Sequence, residues 1–188
     1  LPAFVNESGV PEYSAEGQNH VFTGLMSWDG SENDRITGWT AVFDEATGAM
    51  TSYRMGEKEL LNSPLVPSLT RAATENDLGA GFDRRQAIWR FPEFKVSSFE
   101  VETAQDCYKV LVEYAPLGEA AVVKIAYEIY ADGTVSAVES LEDAGKLSEA
   151  PMLPRFGMQM AMPGEYSVFE FFGLGPHENY IDRTSSAL

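Results

Sequence analysis

Apolar and polar side chains alternate along much of this chain, with the period of two that is typical of β-strands buried on one face. In the segment 36–43, Trp39, Ala41 and Phe43 fall on a single face. Two later segments alternate in the same way, with apolar faces made of Tyr108, Val110, Val112 and Tyr114 in one and Val123, Ile125, Tyr127 and Ile129 in the other. These segments are predicted to be strands that cover a common core.

Turn signals separate the predicted strands at intervals of roughly eight to twelve residues. Asp29-Gly30 and Asp132-Gly133 are hairpin signals, and 44–48 is a longer turn. Strands are predicted over 21–28, 36–43, 50–55, 94–102, 108–114, 120–130, 134–142, 152–163 and 166–172. With about nine or ten strands and almost no helix, the pattern predicts an all-β fold, an antiparallel sandwich.

Three segments depart from this strand pattern. The stretch 71–81 mixes two glycines with charged residues and is predicted to be a loop. The stretch 82–89 has mixed spacing and is the one candidate for a helix of one or two turns. Residues 1–18 show no clear period and hold two prolines and two glycines, so we interpret them as a linker or the end of a preceding domain. The β-sandwich domain is then assigned to 19–188.

The charge balance is strongly acidic, with 29 acidic against 13 basic residues and a net charge of −16. Nucleic acids and anionic membrane surfaces both require Lys and Arg for their neutralisation, so the composition argues against either partner. Cys107 is the single cysteine, and two histidines are too few to argue for a metal site. We expect no metal and no cofactor in this chain.

The large apolar side chains are assigned to packing. The tryptophans Trp28, Trp39 and Trp89 offer flat faces for sugar rings, but we predict that all three pack in the core. The methionines at 152, 158, 160 and 162 are predicted to fill the core from one strand.

The densest polar cluster lies near the chain end. Six of the seven residues from 177 to 183 carry polar side chains, and they follow a turn formed by Gly173-Leu174-Gly175-Pro176. A strand that runs into such a cluster delivers it to a rim, where functional residues concentrate.

Three groups of residues, taken together, resemble one family. They are Leu60-Leu61, Pro64-Leu65, Thr70-Arg71-Ala72 and Asn76-Asp77-Leu78-Gly79; then Leu153-Pro154-Arg155-Phe156-Gly157; and finally Gly173-Leu174-Gly175-Pro176, Glu178-Asn179-Tyr180 and Asp182-Arg183. From about residue 20 to its end the chain resembles the C-terminal small-chain domain of glycoside hydrolase family 2 β-galactosidases.

This resemblance implies a galactose-mutarotase-like super-sandwich, here incomplete, that ends a multidomain retaining enzyme acting on terminal β-D-galactosides. In the family the two catalytic glutamates lie in a TIM barrel elsewhere in the parent, and Mg and Na often bind in other domains. We therefore expect no catalytic residue here and an inactive fragment. The implied partners are the other domains of the parent and, through it, the galactoside. Because family members continue beyond the last motif, open strand edges are expected, and with them a homo-oligomer.

The resemblance also assigns residues to a substrate-rim loop. Asn76, Asp77 and Gly79 match a family loop that approaches the active site and changes conformation when sugar binds. The alternative is that Asn76 and Asp77 cap a turn by bonding their own backbone.

The remaining motif residues have a structural and a functional interpretation. Glu178, Asn179, Tyr180, Asp182 and Arg183 either line the rim or contact another domain, or they form a knot in which Arg183 pairs with Glu178 or Asp182. We favour the knot. Arg71 and Arg155 are likewise predicted to form buried structural pairs.

Two other functions share this fold. A stand-alone aldose 1-epimerase needs a general acid and base at the anomeric carbon, for which His177 and Glu178 are the adjacent pair. A carbohydrate-binding module needs only a pocket. The motif order favours the β-galactosidase module over both.

Overall fold

The computed structural model describes residues 3–4, 9–29 and 36–168. The polar cluster 177–183 and the predicted strand end before it lie outside these residues. Among the residues described, none of the helices is long and apolar enough to cross a membrane.

The first sheet is built from the early strands and one late strand. Its members are β1 (Ala3–Phe4), β2 (Glu12–Glu16), β3 (Asn19–Asp29), β4 (Ile36–Asp44), β5 (Ala49–Met55), β6 (Lys58–Glu59), β7 (Ser63–Pro67) and β12 (Met158–Ala161). The order is β1-β3-β4-β5-β7-β12, with β2 paired to β3 and β6 to β5. All pairings are antiparallel.

The second sheet is a four-stranded meander. It contains β8 (Val96–Thr103), β9 (Cys107–Tyr114), β10 (Ala121–Tyr130) and β11 (Val135–Asp143), in the order β11-β10-β9-β8. Three short α-helices join the sheets: α1 (Glu75–Gly79), α2 (Phe82–Arg85) and α3 (Ala87–Arg90). A 3₁₀ turn at Leu147–Glu149 follows β11. The prediction of an all-β antiparallel sandwich is confirmed.

The core lies between the two sheets because each strand presents its apolar face inward. In β10 every second residue is buried, from Ala121 to Ile129. The sheets meet where the Phe43 ring packs edge-on against Tyr127, with ring centroids 4.9 Å apart. Full burial of one such side chain contributes roughly 1.5–3 kcal/mol, so this alternating set supplies much of the driving force.

The indole of Trp39 shows how closely the core is packed. It is buried, and its Nε1 donates to the carbonyl of Ala131 at 3.1 Å. A Cβ atom at Gly24, the residue opposite in β3, would lie 2.7 Å from that Nε1. Only glycine fits there. Trp39 and Trp89 are core residues, as predicted, whereas the side chain of Trp28 lies outside what the structure describes.

Two predictions about secondary structure are corrected. The stretch 71–81 is not all loop, because α1 occupies Glu75–Gly79. The strand predicted over 152–163 is present only at Met158–Ala161. The helical segment 82–89 is confirmed, as the two single turns α2 and α3.

The predicted role of the methionines is wrong for three of the four. Met158 is partly buried against the core. Met152, Met160 and Met162 are 68%, 50% and 41% exposed. These three side chains are exposed because β12 is the end strand of its sheet. No described strand lies beyond it to cover them.

The segment assigned to a linker contains part of the first sheet. Strand β2 (Glu12–Glu16) pairs with β3 over five residues, from Glu12 opposite Thr23 to Glu16 opposite Asn19. Ordered sheet therefore begins before residue 19. The division into domains stays a prediction.

Candidate functional site

The first motif residues form a capped helix start. Thr74 is the N-cap of α1, and its Oγ1 accepts a hydrogen bond from the Asp77 amide at 3.2 Å. In return the Asp77 carboxylate accepts one from the Thr74 amide at 2.8 Å. This is a capping box, and Glu75 in the first turn adds a favourable interaction with the helix dipole. The spacing Thr74-x-x-Asp77 is the sequence signal that predicts such a turn, and our loop prediction missed it.

The same carboxylate is paired with Arg71. Nη1 of Arg71 lies 2.5 Å from Oδ2 of Asp77, and Nη2 lies 3.3 Å from Oδ1. This hydrogen-bonded cation, together with the Thr74 amide, lowers the pKa of Asp77 to about 2. Asp77 is therefore an ionised structural anchor, with its oxygens committed to neighbouring groups.

Arg71 also joins two motifs that are far apart in sequence. Its Nε donates to the carbonyl of Pro154 at 3.2 Å. Nearby, the Ser68 amide donates to the carbonyl of Gly157 at 2.6 Å. The motif around Arg71 and the motif 153–157 thus form one surface, which we call the helical face and define as residues 71–90 with 151–157.

The two arginines predicted to be buried lie at the surface. The Arg71 side chain forms its ion pair while keeping 40% of its exposure. Arg155 is exposed and makes no ion pair with any residue inside the described ranges. Burial of Arg71 and of Arg155 is therefore a wrong prediction, because both lie on loops outside the sandwich.

Helix α3 and the residue before it fix the rest of the helical face. The buried side chain of Gln86 donates to the carbonyl of Met152 at 2.9 Å, and Trp89 Nε1 donates to that of Pro151 at 2.7 Å. An open groove of about 390 Å³ lies beside these anchors, lined by Phe82, Arg85, Gln86, Glu149, Pro151 and Met152. The helices are thus held on the sandwich by polar bonds to 151–152.

The rim-loop residues lie in α1. Asn76 is exposed, and its carbonyl accepts from the Ala80 amide at 2.9 Å. Gly79 ends the helix, and Gly81 follows with φ of +68°. Leu78 is 55% exposed on the same short helix. Nothing in this geometry tests the rim role of Asn76, Asp77 and Gly79, which stays a prediction.

The other motif residues cannot be placed. Glu178, Asn179, Tyr180, Asp182 and Arg183 lie outside the described residues, as does His177. The knot around Arg183 and the adjacent pair His177 and Glu178 therefore stay predictions.

A hydrogen-bonded tyrosine–histidine pair that the sequence pattern does not predict lies in the first sheet, with the carboxylate of Glu45 close to it but not hydrogen-bonded to the imidazole. The Oη of Tyr13 is 2.8 Å from Nδ1 of His20, and Nε2 of His20 is 3.5 Å from Oε2 of Glu45. Burial raises the pKa of Tyr13, so its hydroxyl is not activated as a nucleophile. The rings of Tyr13 and Phe22 also stack at 5.1 Å. These contacts of Tyr13 hold β2 against the sandwich.

Among the residues that the structure describes, Glu139 has a carboxyl pKa suited to acid–base chemistry at neutral pH. Burial raises the pKa of Glu139, on β11, to about 7. Retaining glycoside hydrolysis needs a second carboxyl group about 5 Å away. Burial causes this shift, and the carboxyl adds to the effect of burial in raising the pKa values of the Tyr114 and Tyr127 hydroxyls. Within the described ranges, no three His, Cys, Asp or Glu side chains group to hold a metal ion.

Comparison with known proteins identifies relatives of one kind. The family described as beta galactosidase small chain matches residues 35–188. The β-galactosidase of Halalkalibacterium halodurans is 32% identical over 153 residues, which cover 79% of this chain and 15% of that protein. The β-galactosidase of Priestia megaterium is 33% identical over 153 residues, covering 80% and 14%. That of Lactobacillus delbrueckii subsp. bulgaricus is 28% identical over 181 residues, covering 93% and 17%. The chain thus spans about a seventh of the curated relatives it matches.

Proposed function

The chain belongs to the β-galactosidase small-chain family, and from that premise we propose that it is a non-catalytic module of a larger β-galactosidase. The proposal is supported by the share of each sequence that the matches cover. The match extends over 79–93% of this chain but only 14–17% of each relative. A module of this size is a small part of an enzyme whose named activity belongs to the whole. The substrate of that whole is proposed to be a terminal β-D-galactoside.

Within that enzyme, we assign the helical face to contact with the catalytic domain. The ion pair of Arg71 with Asp77 anchors α1, while Asn76 and Leu78 remain exposed on the same helix. A short helix that is anchored by an ion pair and keeps exposed side chains is suited to closing one side of a neighbouring pocket. Asn76 is the exposed residue of α1 whose side-chain amide can bond a sugar hydroxyl.

Metal ions are assigned to other parts of the parent. Mg and Na bound by family enzymes are proposed to lie in domains outside this chain. Bound there, such ions would stabilise developing charge and orient the substrate.

Assembly is the second element of the proposal. The module is proposed to contact other domains of the parent, and its open edges support self-association when it is alone. Light scattering of the purified chain at increasing concentration tests the self-association. A constant monomer mass contradicts it.

The proposal is tested by complementation. A parent β-galactosidase that lacks the segment corresponding to residues 35–188 is assayed for o-nitrophenyl β-D-galactoside hydrolysis with and without this chain added. We expect no turnover by the chain alone and restored turnover by the mixture. Hydrolysis by the chain alone, at a rate proportional to its concentration after repurification, overturns the assignment of catalysis to other domains. A polarimetric assay of α-galactose mutarotation tests the epimerase alternative on the same material.

A further inference from the structure

The helical face concentrates positive charge in an otherwise acidic protein. It contains five of the chain's 13 basic residues, all of them arginines, and three of its 29 acidic residues. The face therefore carries a charge of +2, and the rest of the chain carries −18, which together give the net charge of −16. A positive patch on such a background attracts an anionic partner to one place on the surface.

Most of these arginines have no carboxylate partner within the described residues. Arg71 is paired with Asp77. No ion pair of the described ranges includes any of the other four, which are Arg84, Arg85, Arg90 and Arg155, and the side chains at 84, 85 and 155 are exposed. Their guanidinium groups are therefore available to the carboxylates of a partner.

Arg85 is held in place at the groove of the helical face. Its Cζ lies 4.8 Å from the centre of the Phe82 ring, and its Nη2 donates to the carbonyl of Ala80. Both Arg85 and Phe82 line the groove of about 390 Å³. A planar guanidinium that is already positioned loses less conformational freedom when its remaining N–H groups bind a carboxylate.

The groove also offers apolar contact. Phe82, Pro151 and Met152 line it, and Met152 is exposed. Leu78 and Phe156 are further exposed apolar side chains of the helical face. Glu149 lies at the groove as well, so an incoming acid is expected on the side of Arg85. Protein interfaces are enriched in arginine, methionine and aromatic residues and depleted of lysine, and the helical face has this composition.

Charge and length together indicate the partner. Two copies related by a twofold axis through the helical face would bring arginines against arginines, which is unfavourable. A nucleic acid would extend from the face onto a surface that repels its phosphates. The chain spans about a seventh of its matched relatives, so most of the surface of a parent lies outside residues 1–188. An acidic segment of that parent complements the face.

We propose that the helical face docks an acidic segment of the parent enzyme. A carboxylate of this segment pairs with Arg85, and an adjacent apolar side chain enters the groove. Arg84 and Arg155 attract the segment through their charge. That the segment belongs to the parent rests on the proposed function, whereas the preference of the face for an acidic peptide does not.

A peptide titration tests this preference. The probe is the blocked pentapeptide Gly-Asp-Leu-Glu-Gly, and in the control peptide asparagine and glutamine replace the two acids. Both are titrated into the ¹⁵N-labelled chain and followed by NMR. We expect shifts of the Arg85, Gln86 and Met152 amides and at least about fivefold tighter binding of the acidic peptide. Because the chain as a whole repels anions, such a preference requires a local positive site. Equal binding of the two peptides, or shifts confined to other parts of the chain, overturns the proposal.

Three substitutions make the titration specific. Arg85→Gln is expected to reduce the preference for the acidic peptide to about onefold, and Arg155→Gln, which leaves α2 untouched, to reduce it about twofold. Arg54→Gln is the matched control, because it removes the same charge from an exposed position on β5 and should keep the preference. An equal loss in all three variants would show that net charge causes the effect, and no loss at 85 and 155 would show that the face does not bind the acids. Either result overturns the proposal.

Hydrogen exchange tests the source of the segment. The amides of Gln86, Trp89 and Arg90, which are hydrogen-bonded in the helices, are compared in the complete parent enzyme and in the isolated chain at low concentration. We expect at least about tenfold slower exchange in the complete enzyme, and loss of most of this protection when Arg84→Glu and Arg85→Glu are combined in it.

Three results would overturn the parent as the source. They are equal exchange in the two samples, protection that survives both charge reversals, and protection that appears in the isolated chain as its concentration rises, which would identify a second copy as the occupant. Neither the titration nor the exchange measurement uses galactosidase activity, so failure of complementation and failure of this proposal are separable.

Discussion

The guanidinium of Arg71 and the carboxylate of Asp77 lie in contact, with Nη1 and Oδ2 2.5 Å apart, and the same carboxylate caps α1 through the Thr74 amide. One acidic side chain therefore fixes both the loop that precedes the helix and the helix start. Through Arg71, that anchor reaches the carbonyl of Pro154. The helical face is a consequence of this connection.

The capping box is tested by removing its hydroxyl. Thr74→Ala removes the acceptor for the Asp77 amide and is expected to weaken the first turn of α1 by about 1 kcal/mol. The exchange rates of the Leu78 and Ala80 amides, which bond to Thr74 and Asn76, should rise about fivefold. Thr74→Ser retains the hydroxyl and serves as the matched control. Unchanged exchange in the alanine variant would show that α1 does not depend on its cap.

The stability of the helical face should depend on pH through Asp77. Its pKa is lowered to about 2 in the folded chain, below the ordinary 3.8, first by the hydrogen bond from Arg71. The stabilisation is therefore complete above about pH 4 and is lost as pH falls through about 2. Exchange of the α1 amides, corrected for intrinsic rates, should accelerate over that window. In Asp77→Asn this pH dependence should vanish. The same pH profile in the variant and in the unsubstituted chain would show that Asp77 is not its source.

Glu139 should have the opposite effect on stability. Burial raises its pKa to about 7, above the ordinary 4.5. The folded state is therefore unaffected by this group below about pH 4.5, is progressively destabilised up to about pH 7, and carries the full penalty above that. Glu139→Gln should raise the free energy of unfolding at pH 8 by about 1–2 kcal/mol, after allowance for partial exposure, and have little effect at pH 4.5.

Urea denaturation at the two pH values measures this difference. Glu142→Gln, on the exposed face of β11 and paired with Lys124, provides the control and should show no gain at pH 8. An equal effect of Glu139→Gln at both pH values would indicate that the carboxylate is already ionised and solvated.

The close approach of Gly24 to Trp39 predicts a steric effect. Gly24→Ala places a Cβ 2.7 Å from Nε1 of the buried indole and should destabilise the fold by about 1–3 kcal/mol. Gly38→Ala is the matched control in the adjacent strand, since its Cβ meets the nearest atom at 3.9 Å. Thermal unfolding of both variants checks the difference. Equal melting temperatures would show that the indole moves without cost.

Local pattern predicts most of this fold because strand faces repeat every two residues. The predicted strands 21–28, 36–43 and 108–114 end within two residues of the observed β3, β4 and β9. The prediction failed at 152–163, where apolar composition suggested a buried strand. Composition does not distinguish a central strand from an edge strand, and β12 is at an edge.

Of the candidate site, the sequence identified the residues but not their partners. Arg71 and Asp77 belonged to a recognisable motif, yet the bond from Arg71 to Pro154 spans 83 positions. Such a contact depends on how two loops approach after the sheets have packed. Nothing in the local sequence distinguishes Glu139, because its burial depends on the register of β11 against β10.

By itself the sequence determined the strand periodicity, the strongly acidic charge, and the family to which the motifs belong, since these are properties of residues close together along the chain. The tertiary structure alone decided that Asp77 is a committed anchor, that Met160 is exposed, and that Glu139 faces the core at an open edge. The reason is physical. Burial, pairing and pKa depend on which distant residues displace water around a side chain, and that is settled only when the two sheets come together.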